Sequence, residues 1–141
     1  MSVSASGNEH ARASAGRSAI RSVLRALSAE NAQIEASAAI TSDGRVLASF
    51  LHDDVDADRF GAMCASLLAL ADRAAMEIDR GALNQVLIEG SRGAILLVQA
   101  GPDTVLAVSS SAGAQIGKIF IEARRAALHL RACLDQGGHG L

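Results

Sequence analysis

Catalysis in this chain would have to come from its histidines, cysteines, carboxylates or glycine-rich turns. The four histidines are His10, His52, His129 and His139. A metal centre needs several such ligands at defined spacing. None is read as having a partner at such spacing unless His52 uses Asp53 and Asp54, and that run reads as a solvated loop ahead of a helix. Cys64 and Cys133 are the only cysteines; two of them make neither a disulfide framework nor a zinc site. The segment Gly113-Ala-Gln-Ile-Gly117-Lys118 has the outline of a phosphate loop. It is one residue short between its glycines and lacks Ser or Thr after the lysine, so it is rejected. Gly117 is read instead as a point of close approach between the last helix and the sheet. Gly90-Ser91-Arg92-Gly93 lacks the residue that a nucleophile elbow places before its serine. The serines and carboxylates form no recognisable triad or acid/base pair. The expectation is no catalytic residue, no cofactor and no metal, which points to a binding protein.

The composition narrows this further. A chain of 141 residues makes one domain able to bury roughly two-thirds of its unfolded surface. Its three Phe are its only aromatic residues, so Leu, Ile, Val and Ala must form the core. A net charge of −2 provides no basic footprint for nucleic acid. No apolar run approaches the ~20 residues of a membrane span. The stretch MSVSASGNEHARASAGR has no apolar core of a secretory signal, and the compartment is read as the cytoplasm. Arg greatly outnumbers Lys amid abundant Ala and Gly, the composition of a GC-rich bacterial genome.

The elements that position these residues centre on one helix, Val55 to Gly81. Phe60, Met63, Cys64, Leu67, Leu68, Leu70, Ala71, Ala74, Ala75 and Ile78 recur at helical spacing and are expected to face a sheet. Asp56 is the expected N-cap, Asp58 suits the positive end of the macrodipole, and Gly81 is the expected left-handed C-terminal residue. Gly61, Ala62, Ala65, Ala69 and Met76 form a second, small-residue face. Alanine's helix propensity alone would account for such a face; the sharper reading is a surface for a partner's helix. Cys64 is expected buried and inert.

In chain order, residues 1–17 are expected to be a disordered tail. Ile20, Val23, Leu24 and Leu27 mark a helix from Ser18, its N-cap, to about Glu30, with Asn31 just beyond its end. Ile34 to Thr41 alternates, with Ile34, Ala36, Ala38 and Ile40 on one face. The Ser42-Asp43-Gly44 turn and Val46 to Leu51 complete a hairpin. Gln85–Glu89, Ala94–Gln99 and Val105–Ser109 follow as closely spaced antiparallel strands, joined by turns at Gly90–Gly93 and Gly101–Thr104. A long helix carries Ile116, Ile119, Phe120, Ala123, Ala127, Leu130 and Leu134 on one face; residues 135–141 should fray. The expected fold is α+β, in the order α-β-β-α-β-β-β-α: one five-stranded antiparallel sheet with helices on both faces.

Ala39-Ile-Thr-Ser-Asp-Gly-Arg-Val-Leu-Ala48, SLLALADRAA, QVLIEGSRGAILLVQAG, VLAV and AGAQIGKIFIEARRAALHL, in this order and spacing, resemble the roadblock/dynein light chain family from about Ser18 to Leu134. The resemblance implies a domain over 18–134, sheet order 2-1-5-4-3, and dimers formed through the third strand and central helix. The interface residues it implies are Gly61, Ala62, Ala65, Ala69, Met76, Gln85, Val86, Leu87 and Ile88. Members are mostly non-enzymatic light chains or regulators of Ras-like small GTPases, among them the dimeric GTPase-activating partner of a bacterial gliding-motility GTPase. A dynein role does not suit the composition. The leading expectation is a cytoplasmic homodimer that regulates such a GTPase, docking it through Asp53, Asp54, Ser66, Asp72, Arg73 and Glu77. A structural adaptor or light-chain subunit is the alternative. A ligand-sensing domain ranks third, for want of the polar and aromatic residues that line small-molecule pockets.

Overall fold

The computed structural model describes residues 2–135, with side chains from residue 16 onward. Its elements are α1 (Ser2–Glu30), β1 (Ile34–Thr41), β2 (Val46–Phe50), α2 (Ala57–Glu77), β3 (Gln85–Gly90), β4 (Gly93–Gln99), β5 (Thr104–Ser111) and α3 (Ile116–Cys133). The strands form one antiparallel sheet in the order β2-β1-β5-β4-β3. That is the expected element order, and the sheet order that the resemblance implied.

The sheet separates two cores. On one side α1 and α3 bury Leu24, Leu27, Ile119, Ala123 and Leu130 against Leu96, Leu106 and Val108. On the other, α2 buries Cys64 and Leu68 against Ala38, Ile40, Leu97, Val105 and Ala107. This is a three-layer sandwich in which the central strands β1, β5 and β4 are covered on both faces, as their nearly continuous apolar runs require.

Several boundaries and faces differ from expectation. The α1 backbone is helical from Ser2, upstream of Ser18; no proline interrupts residues 2–17, and Ala and Arg favour continuation. Ser18 lies within the helix, where its carbonyl accepts a hydrogen bond from Ser22 Oγ at 3.1 Å. Beyond Asp135, the expected C-terminal tail lies outside the described residues. The β1 face is divided. A register irregularity between Ile34 and Ala36 leaves Ile34 in the α1/α3 core and Ala38 and Ile40 in the α2 core.

The end of α2 uses a different residue from the one expected. Ile78 is the C-cap, and Asp79 takes the left-handed position with φ 58°. Asp79 N–H donates to the Met76 carbonyl (3.0 Å) and Arg80 N–H to that of Ala75 (2.7 Å), a Schellman pattern that ends the helix before Gly81. Gly117 faces open space, with nothing within 4 Å of a Cβ built there. The close approach lies instead at Gly61 on α2, where a Cβ would stand 2.6 Å from the Gly44 carbonyl oxygen and 2.8 Å from Val46 Cγ2. Gly44 itself turns the β1–β2 hairpin with φ 92°. The Thr41 hydroxyl donates to the Asp43 carboxylate in the same turn, holding that carboxyl below its ordinary value, with Arg45 adding a smaller effect.

Candidate functional site

The outer layer on the α2 side is where large apolar residues are exposed. α2 packs onto β1 and β2 and has only Gly61, Cys64 and Leu68 fully buried. Of the expected sheet-facing arc, Phe60, Leu67, Ala71 and Ala75 are half-buried, whereas Ala74 is exposed and Met63, Leu70 and Ile78 are 61%, 64% and 66% exposed. One helix on a flat sheet buries a stripe about a hundred degrees wide; the apolar residues here span more than that, and the excess faces outward.

Met63, Leu67, Leu70 and Ala74 recur at i+4, i+3 and i+4 on one flank. Leu67 packs against the α2 core, as do Val86 and Ile95 in the outer part of the sheet. There β3 is an edge strand carrying Leu87 and Ile88, each 37% exposed. Pairing places Val86 opposite Leu97, and Ile88 opposite Ile95, on the α2 side. Leu87 lies opposite Leu96, on the other side. The strand thus offers unpaired backbone and apolar side chains at once, with no Pro or Lys in it and, among the described residues, no covering element to blunt it.

The expected small face is only partly as read. Ala62, Ala69 and Met76 are exposed and Ala65 half-buried, but Gly61 is turned inward against the β1–β2 turn. Of the expected docking residues, Asp53 and Asp54 are exposed in the loop before α2. Ser66, Arg73 and Glu77 are exposed along the outward ridge of α2, between the two flanks. Asp72 is not available in the same way: its carboxylate accepts a 2.9 Å hydrogen bond from Leu83 N–H and holds the α2–β3 connection.

Cys64 is buried and has no disulfide partner, and burial raises its thiol pKa to about 11. No cluster of three or more His, Cys, Asp or Glu among the described residues could hold a metal. No described helix is long and apolar enough to cross a membrane. Sequence reasoning missed one buried polar contact. Asn31 Nδ2 donates to Glu122 Oε1 at 2.6 Å, and Asn31 Oδ1 accepts from Gln33 N–H at 2.9 Å, tying the end of α1 to α3. It also missed a groove of about 510 Å³ lined by Asn84, Gln85, Gln99, Arg124, Leu128 and Arg131. The spacing of Arg124 and Arg131 on α3 is the sequence signal that could have found it.

Comparison with known proteins bears on the fold. The family model described as the Roadblock/LC7 domain matches residues 13–110. The uncharacterized protein MJ1340 of Methanocaldococcus jannaschii is 40% identical over 99 residues, 70% of this chain and 86% of that protein. An MglB with a tetrameric arrangement shares the fold with a TM-score of 0.80 at 20% identity, over 87% of this chain and 93% of that one. The gliding protein MglB from Thermus thermophilus does so with a TM-score of 0.77 at 19% identity, over 86% and 93% of the two chains.

Proposed function

The chain belongs to the Roadblock/LC7 family, and on that premise we propose that it is a non-enzymatic homodimer that binds and regulates a Ras-like small GTPase in the cytoplasm. The observation that carries this reading is the pair of exposed apolar surfaces on one chain, the outward flank of α2 and the open edge of β3. A second copy, related by a two-fold axis, presents the same surface and covers both features. The flank that meets the copy is Met63, Leu67, Leu70 and Ala74, joined by Val86, Leu87 and Ile88. The alanine face of Ala62, Ala65 and Ala69 flanks the polar ridge on its other side.

With α2 paired in this way, Ser66, Arg73 and Glu77 of both copies form a polar strip on an otherwise apolar surface. Asp53 and Asp54 extend it from the preceding loop. That strip is the docking site for the GTPase, and its charges steer encounter more than they set affinity. We assign the role of a finger to no arginine, so any stimulation works by repositioning the GTPase's own groups.

The test is affinity capture from the source organism with identification of a Ras-like GTPase. Titration of that GTPase, loaded with GTP or GDP, then compares the wild type with a variant in which Arg73 and Glu77 are both charge-reversed. Loss of binding with the dimer intact supports the site. Unchanged binding in both nucleotide states places docking elsewhere. Binding that leaves nucleotide turnover unaltered identifies a structural adaptor.

A further inference from the structure

The free edge of β3 carries enough information to assign the register in which two copies meet, an assignment that rests on the homodimer proposed above. The Asn84 carbonyl accepts from Gln99 N–H at 3.2 Å, so the backbone of Asn84 points to β4. Peptide groups alternate along a strand, and those of Gln85, Leu87 and Glu89 therefore point to the open edge. Residues opposed across an antiparallel ladder lie on the same face of the sheet. A two-fold axis between identical β3 strands must then pass through a residue, and Val86, Leu87 or Ile88 are the choices that keep the strand paired.

Side-chain chemistry separates them. An axis at Ile88 sets Leu87 against Glu89, and one at Val86 sets Leu87 against Gln85 and Ile88 against Asn84. An axis at Leu87 sets Leu87 against itself, Val86 against Ile88, and Gln85 against Glu89. Only this last register opposes apolar to apolar and polar to polar throughout.

It also answers a charge. Gln85 Oε1 accepts from Arg124 Nε at 3.3 Å and from Arg124 Nη2 at 3.1 Å. The groove beside it holds Arg124 and Arg131 and no carboxylate among the residues that line it. We infer that β3 pairs with β3 of a second copy about an axis at Leu87, so that Glu89 of each copy enters the other's groove and meets Arg124 there. The outward backbone groups of Gln85, Leu87 and Glu89 are all satisfied in this arrangement, and the dimer carries two identical charge contacts.

A mixing experiment tests this. Glu89→Arg and Arg124→Glu each oppose like charges at both contacts of their own homodimer. Each should weaken self-association on the order of tenfold at low salt, with less effect at high salt. Mixed together, the two variants have an attractive pair at both contacts, so the heterodimer should recover the wild-type dissociation constant in analytical ultracentrifugation. The Glu89→Arg/Arg124→Glu double variant should recover it as well. Rescue in the double variant without rescue in the mixture would mean that the two residues meet within one copy, and would overturn the inference. So would wild-type dimerisation of both single variants. A monomeric wild-type protein would instead sink the homodimer itself.

Discussion

At the scale of single residues, three positions have consequences that their type alone does not announce. Gly61 sits in a helix, where Ala is ordinarily better by about 1 kcal/mol. Here the added methyl would press on the Gly44 carbonyl oxygen and Val46, and Gly61→Ala should cost a net amount of about 1–3 kcal/mol, read as a lowered urea midpoint. Asp79 is the reverse case. Its left-handed backbone and its negative charge at a helix C-terminus are both unfavourable. Asp79→Gly should therefore stabilise the fold by about 0.5–1 kcal/mol in the same measurement. Folding keeps the Cys64 thiol neutral to higher pH, its pKa raised from 9.0 to about 11 by burial. Its contribution is complete below pH 9.0, where both states are protonated, and is lost as pH rises from there towards about 11. Native protein should resist thiol labelling at neutral pH and lose thermal stability across that alkaline window, an effect absent in Cys64→Ala.

At the scale of elements, α2 has three outward surfaces of different character. The flank with Met63 and Leu70 is large and apolar, that with Ala62 and Ala69 is small, and the ridge between them carries Ser66, Arg73 and Glu77. Leu70→Glu should yield a monomer by sedimentation, because it puts a charge into the surface that a second copy would cover in the proposed homodimer. Ala69→Glu, on the other flank, should leave the dimer in place. The opposite outcome would assign the interface to the small-residue face.

At the scale of the whole molecule, the proposed homodimer links folding to association. In it a second copy would cover the surface on which Met63, Leu70, Ile78, Leu87 and Ile88 are exposed, and binding to the native state would stabilise it by mass action. Scanning calorimetry should show a Tm that rises by a few degrees over a hundredfold range of protein concentration. A concentration-independent Tm would argue for a self-sufficient monomer. Arg73→Ala should weaken GTPase binding yet leave maximal stimulation at saturation intact. A variant that binds normally but stimulates nothing would make Arg73 a catalytic finger after all.

The identities of the elements and their order were legible in the residues, because hydrophobic periodicity, Asp56 as a cap and the turn at Ser42-Asp43-Gly44 are local properties of the chain. The strand spans were nearly right for the same reason. Sheet order was not legible from periodicity; it came only through the family resemblance, since adjacency of β1 and β5 is a pairing between distant segments. Which face of α2 is buried was decided by tertiary structure. The helix offers more apolar surface than one sheet can cover, and the contact at Gly61 fixes its rotation. Asp72 looked like a free surface carboxylate until the fold brought Leu83 N–H to it. Asn31 and Glu122, 91 positions apart, meet only because α1 and α3 share one side of the sheet. A one-dimensional pattern records which residues prefer burial, but which of them obtain it depends on the width of the surface that the rest of the chain supplies.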